Sequence, residues 1–453
     1  MGRHVVNSVS ADAYEDGVSQ ERTMGKVARR ILPFVCFCFL VNYIDRTNIS
    51  FAALTMNKDL GITPTGFGWM VGVFFIGYCI SEIPSNLALQ KFGARIWIAR
   101  IMVTWGIMTV VCAFARTPTQ LMIARFLLGV AEGGFAPGIF IYLGYWFPAR
   151  WRAKAIATFL LGVPLAAVIG GPLSSAILSL HGLGGLKQWQ WLFLLEGIPA
   201  VALGIFCLFT LKDSPSKAKW LSPGEKAWIE SELQLERARI ETTGHMTLGQ
   251  SLTDLRVVIL SCTYLTGLIG LNGVYYWMPQ IVKSLGLSNV EVGLVSAIPN
   301  FLGAVAMILW ARSSDRTGKR VWHVTATCLL GALAMAASSL AHDGIFIMIG
   351  LTVALIGAFG FLATFWALPS TFLTGRAAAG GFGLILSIGN SSGFFGPYLV
   401  GWLKQTTLGY SGSLLALSGF LLLAATLTMI FRRSVRSPRE SVPVSPSPGL
   451  MGK

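Results

Sequence analysis

The sequence predicts an all-α membrane protein: twelve transmembrane helices in two six-helix bundles, with both termini cytoplasmic. Three observations predict it. Of the 453 residues, 54% are hydrophobic and only 12% charged, against about 25% charged in an ordinary soluble domain. Apolar stretches near the ~20 residues that cross a bilayer recur along the chain. One long polar break at 212–255, rich in Lys, Glu and Arg, divides them six and six. The same numbers exclude a soluble multidomain protein, a disordered chain and a disulfide scaffold. The seven cysteines fall inside apolar stretches and read as small buried hydrophobes.

The spans run approximately over 31–53, 66–89, 96–115, 118–142, 154–178, 190–211, 257–279, 290–311, 323–341, 345–371, 379–402 and 411–431. They assemble into a cytoplasmic arm (1–30), an N-terminal bundle (31–211), a cytoplasmic linker (212–255), a C-terminal bundle (256–431) and a tail (432–453). The arm is polar, mixed in charge and without an apolar core, so no cleaved signal peptide is expected. From Ser434 the tail is Ser/Pro-rich and expected to be disordered. Prolines within spans, among them Pro84, Pro137, Pro164, Pro279 and Pro369, predict kinked helices lining a cavity.

Orientation follows from Lys and Arg in the loops. Of 35 such residues, Arg46 and Arg125 fall deep inside spans, Arg100 and Lys154 at span ends count with the adjoining loops, and only Lys58, Arg116, Lys187, Lys283 and Lys404 lie on one side. The rest lie on the side of both termini, which is therefore cytoplasmic. Topology thus accounts for the net charge of +15, and no nucleic-acid partner is needed.

Charges inside spans carry the functional argument, because each costs about 2.5–3.5 kcal/mol at a helix centre. Asp45 and Arg46 sit together in span one, Arg125 and Glu132 in span four. At 1.5 Å per residue Asp45 lies about 21 Å from the inner start of its span, and Arg125 about 10 Å inward from the outer start of its own. They are at similar depth and are expected to pair. Arg125 and Glu132, seven apart, share a helical face within ~20°, so the four line one path. Glu82 reads as a structural partner of Arg150 or Arg152, and Glu196 as half of a structural ion pair. Two buried Arg make an anion site, since a guanidinium binds a carboxylate bidentately and keeps its charge. Burial favours a protonated carboxylate and a nearby Arg an ionised one, so protonating Asp45 and Glu132 would free Arg46 and Arg125 for a substrate carboxylate.

The five histidines, 4, 181, 245, 323 and 342, lie in loops, arms or at a span edge. None serves a deep proton relay, and no His/Cys/acid cluster has metal-ligand spacing. Tyr78, Asn272 with Tyr275 and Tyr276, Trp366 with Ser370, and Asn390 between Ser387 and Ser391 fall at helical spacings suited to a cavity wall. Such groups more often bridge helices than bind substrate.

The halves repeat. Gly93-Ala94-Arg95-Ile96-Trp97 follows span two, and Gly318-Lys319-Arg320-Val321-Trp322 follows span eight, 225 residues on. With Asp315 and Arg316 upstream, the second copy resembles the gating-loop signature of the major facilitator superfamily; the first copy lacks the acid. Asn42-Tyr43-Ile44-Asp45-Arg46-Thr47-Asn48 and Arg125-Phe126-Leu127-Leu128-Gly129-Val130-Ala131-Glu132-Gly133-Gly134 resemble the anion:cation symporter branch, as do Tyr145-Trp146-Phe147-Pro148 and Asp213-Ser214-Pro215. Within it the chain is most similar to bacterial organic-acid:proton symporters of the tartrate, phthalate and hydroxyphenylacetate permease type.

The resemblance implies proton-coupled import of a small organic anion by alternating access across the cell inner membrane, with no enzyme activity. It also implies no cofactor beyond protons as coupling ion. It makes Asp45 and Glu132 the proton-coupling acids, Arg46 a substrate-carboxylate ligand, Arg125 the acids' ion-pair partner and Asn390 a ligand from the second half. Asp315, Arg316, Gly318 and Arg320 become the gating loop. The partners expected are the anion, protons and the bilayer, with one bundle pair, a monomer, forming a complete path. A drug or metabolite:proton antiporter is the first rival, and a non-transporting nutrient sensor on this scaffold the second.

Overall fold

The computed structural model describes residues 20–180, 183–242, 253–373, 375–406 and 409–436. Among these the regular structure is entirely helical. The N-terminal half comprises α1 (Gln20–Leu60), α2 (Pro64–Phe92), α3 (Ala94–Ala113), α4 (Pro118–Glu132), α5 (Phe135–Gly144), α6 (Ala149–Leu160), α7 (Gly162–Leu178) and α8 (Gln188–Thr210). The linker forms α9 (Pro223–Thr242). The C-terminal half comprises α10 (Leu255–Lys283), α11 (Asn289–Thr317), α12 (Arg320–Leu340), α13 (Gly344–Phe365), α14 (Gly375–Asn390), α15 (Ser392–Lys404) and α16 (Gly409–Arg436).

Eleven crossings are long and apolar, with α4 and α5 counted as one and α6 and α7 as another. The broken pair α14 and α15 is the twelfth. The expected kinks are in part full breaks: Pro137 and Pro164 lie in the first turns of α5 and α7, where a missing N–H costs least. Pro369 opens a short 3-10 turn after α13. Pro84 and Pro279 stay inside unbroken helices. At the outer ends, Thr63 and Thr117 cap α2 and α4 ahead of Pro64 and Pro118.

Helix α1 holds 41 residues, about 60 Å at 1.5 Å per residue against a hydrocarbon core of ~30 Å. It therefore starts inside the stretch read as an arm and carries Lys26 below the membrane. There Lys26 pairs with Glu225 of α9 at 2.9 Å, and Arg152 pairs with Glu236 at 2.9 Å. Trp146 stacks on Trp220, and Trp151 meets Trp228 edge-on. The linker helix is thus fastened beneath the N-terminal half.

The halves meet along α2 with α15, α7 with α11 and α1 with α10. Their outer ends touch closely: a Cβ on Gly68 would lie 2.7 Å from the Pro397 carbonyl oxygen, and one on Gly171 2.9 Å from that of Gly293. Thr65 also donates to Gln405 at 2.6 Å across the seam. Cys262 is exposed rather than buried, on a helix whose outer face is apolar. Residues 1–19, the tail from 437 on, His4, His181, His245 and the side chain of Arg376 lie outside the described residues.

Candidate functional site

Helices α1, α2, α3 and α4 bring the intramembrane charges together. Asp45, Arg125 and Glu132 are essentially unexposed, at 1%, 0% and 0%. Helices α2 and α4 approach until a Cβ on Gly129 would lie 3.0 Å from the Tyr78 backbone nitrogen. Glu132 is the last residue of α4. Behind it Gly134 takes a left-handed φ of +91°, open to glycine at little cost. Its Cβ would also meet Ser85 of α2. The break fixes Glu132 at a helix end between the halves of span four.

Arg46 Nε donates to Glu132 Oε1 at 3.0 Å, and Nη2 donates to the same oxygen. The Arg46 guanidinium lies 4.9 Å from the Tyr78 ring centre, 5.5 Å from Phe74 and 5.7 Å from Tyr43, an aromatic frame that favours a cation. Arg125 faces the same Phe74 ring at 5.0 Å. Its Nε, Nη1 and Nη2 have no hydrogen-bond acceptor among the described residues. Asp45 accepts from Thr109 of α3 at 2.6 Å and from Asn48 at 2.7 Å.

The expected pairing of Arg125 with Asp45 or Glu132 is therefore overturned: Arg46 takes Glu132, and Asp45 is held by neutral donors. Consecutive helical residues point ~100° apart, so Asp45 turns to α3 while its neighbour turns to α2 and α4. Glu82 departs too, accepting from Asn390 of the other half at 3.4 Å, while Arg152 is engaged by Glu236. Glu196 is buried and accepts from Ser174 at 2.7 Å; no salt bridge to it occurs among the described residues, so the expected ion pair is not formed.

The second-half residues divide. Tyr275 lines a central cleft with Thr47, Ser50 and Asn300; its volume is about 20 Å³, room for one water. Asn390 reaches the N-terminal half through Glu82. Asn272 is occupied within its own half, donating to Ser392 at 2.9 Å. Trp366 packs against Tyr264 and Phe382. Ser370 is exposed and bonds Ala367 in its own turn at 3.0 Å. Because α13 ends at Phe365, Trp366 and Ser370 do not share a helical face as their spacing suggested.

In the loop expected to gate, Gly318 closes α11 in a left-handed conformation, and Arg320 Nη1 donates to the Ala367 carbonyl at 3.2 Å. Asp315 and Arg316 are exposed and form no salt bridge among the described residues. In the first-half loop the absent acid is supplied from elsewhere. Asp213, beyond α8, accepts from the Arg95 backbone N–H at 3.0 Å and pairs with Lys217 at 3.1 Å.

Sequence reasoning passed over Tyr43, Asn48, Phe74 and Thr109 as site residues. Tyr43 and Asn48 lie three positions from Arg46 and Asp45, the spacing of one helical face, so that signal was present. Phe74 and Thr109 reach the site only through helix packing.

The sequence model described as Major Facilitator Superfamily matches residues 35–397. A protein of Agrobacterium vitis named "Putative tartrate transporter" is 47% identical, over 93% of this chain and 94% of its own. A "Quinolone resistance transporter" of Acinetobacter baumannii is 39% identical, over 89% and 93%. Among solved structures, a D-xylose-proton symporter has the same fold at a TM-score of 0.71 and 16% identity, covering 89% of this chain and 97% of the other. The chain belongs to the Major Facilitator Superfamily and is a multi-pass transporter of the cell inner membrane.

Proposed function

We propose that the protein imports a small organic anion, a hydroxy, sugar or aromatic acid, coupled to inward proton flow. The observation that carries this reading is Arg125: a buried guanidinium with no acceptor among the described residues is an incomplete ion pair, and a carboxylate completes it bidentately. Arg46 is the second cation, held by Glu132 until that acid takes a proton. Protonation of Glu132 and Asp45 leaves two cations at the Phe74 ring without a counter-charge, a charge that matches a dicarboxylate. Release of the anion lets Glu132 lose its proton and recapture Arg46, which resets the carrier. The names of the Agrobacterium vitis relatives, 47% and 45% identical, support the carboxylate class. On this reading one pair of bundles forms the path and the monomer is the working unit.

The reading is tested in proteoliposomes by adding tartrate, a sugar acid, phthalate or hydroxyphenylacetate outside while recording external pH. Import with protons alkalinises the outside. The 39% identity to a quinolone resistance transporter favours one alternative, a drug:proton antiporter. Stabilisation by neutral or cationic drugs alone, with protons moving the opposite way, establishes that instead.

A further inference from the structure

Only five basic residues lie on the outer side of this chain, and three of them converge on one place. Lys58 at the end of α1, Lys283 at the end of α10 and Lys404 at the end of α15 line a cavity of about 460 Å³, together with Asn57, Gln280 and Tyr410. The cavity straddles the two halves. Lys58 and Asn57 come from the first, the others from the second, and Asn57 donates to Gln280 at 3.4 Å across the boundary.

No acid lines it. The neighbouring carboxylates are committed: Asp59 accepts from Trp189 at 2.9 Å and pairs with Lys187 at 3.5 Å, and Glu291 caps α11 with Ser288. The ammonium groups keep free donors, since each has three N–H. Lys283 gives one to the Leu287 carbonyl at 2.8 Å, and Lys404 one to the Tyr410 hydroxyl at 2.6 Å. Lys58 has no hydrogen bond or ion pair among the described residues. Gln280 Nε2 is buried there without an acceptor among them.

We infer that this cavity is an outer capture site, which holds a carboxylate between the lysines of both halves before the seam opens. The inference rests on the anion-import reading and adds a second binding place to it. Lysine suits transient capture, because a point charge on a flexible stem attracts an anion without the fork that would retain it. Cations gathered in a cleft focus the field and raise the encounter rate, an effect that salt screens. An anion shared by the halves also removes the mutual repulsion of the three ammonium groups.

The test uses the full chain in liposomes. Relative to wild type, the triple variant Lys58→Gln, Lys283→Gln, Lys404→Gln is expected to raise the KM for tartrate uptake about tenfold at low salt, with kcat unchanged and the difference gone at high salt. Replacing the same residues by Arg restores the low-salt KM. Lys187→Gln, outside the cavity, leaves it unaltered. An unchanged low-salt KM in the triple variant overturns the inference. Amine-reactive labelling decides even if tartrate is not carried: tartrate, malonate or sulfate protects Lys58, Lys283 and Lys404 but not Lys187. That protection in a protein that imports none of these anions keeps the cavity as an anion site and rejects anion import. Labelling that no anion alters, or that falls equally at all four lysines, overturns the inference.

Discussion

At Arg125 three guanidinium nitrogens are shut away from water with no hydrogen-bond acceptor among the described residues, and the group faces the Phe74 ring. At Arg46 the same group is fixed by Glu132 and framed by three rings. In the mechanism we propose, the first awaits an anion and the second is released by a proton. Arg125→Lys keeps the charge and loses the fork. The affinity for the transported acid is expected to fall at least about tenfold, or 1.4 kcal/mol, in a thermal-shift titration; undiminished affinity places the anion elsewhere. Glu132→Gln keeps the shape and removes the carboxylate. It is expected to retain exchange between substrate pools and lose accumulation against a gradient. Wild-type accumulation in that variant assigns coupling to another acid.

Among the elements, the broken helices and the linker helix bear on function differently. The break after Glu132 sets an acid at a helix end. At the break itself there is room only for glycine, because a Cβ on Gly133 would lie 2.8 Å from the Tyr78 carbonyl oxygen of α2. Helix α9 is held by exposed and half-exposed pairs, each worth at most about 1 kcal/mol. Glu225 is the group that titrates. Burial pushes its carboxyl up a little, and Lys26 and Ser222 more than reverse this, leaving it below the ordinary value. A lowered folded value stabilises above the unfolded glutamate pKa of ~4.3, and that contribution is lost as pH falls through the folded value. Hydrogen exchange in nanodiscs is expected to show α9 protected at neutral pH and loosened only below about 4.3. In Glu225→Gln the acid-dependent step disappears; an identical step in that variant assigns the fastening to other contacts.

For the molecule as a whole, alternating access requires the outer seam to part. Thr65 and Gln405 hydrogen-bond across it at 2.6 Å, so cysteines at both positions sit within reach of a short reversible thiol crosslinker. Crosslinking is expected to stop uptake in the double variant, with reductant restoring it and neither single variant affected. Uptake that continues through the crosslink means that the outer ends of α2 and α15 do not separate during transport. Between the halves, the cleft lined by Thr47, Tyr275 and Asn300 holds only about 20 Å³, too little for an organic acid.

The sequence by itself determined the number of crossings, their orientation, the two-bundle repeat and which charges lie within the membrane. Each of these follows from composition, the length of apolar runs or the cost of a charge in hydrocarbon, all local to a segment. It also brought Asp45 and Arg125 to similar depth and Glu132 onto the helical face of Arg125, because rise and turn per residue are fixed in a helix. Only the tertiary structure decided which cation faces which acid. Depth along an axis leaves rotation about that axis open, and α1, packed against α7 and α8, is turned so that Arg46 reaches Glu132 of α4 and Asp45 reaches Thr109 of α3. The same limit hid Asp213 as the acid of the first-half loop and Asn390 as the partner of Glu82. Those contacts join residues 118 and 308 positions apart, and no spacing along the chain announces them.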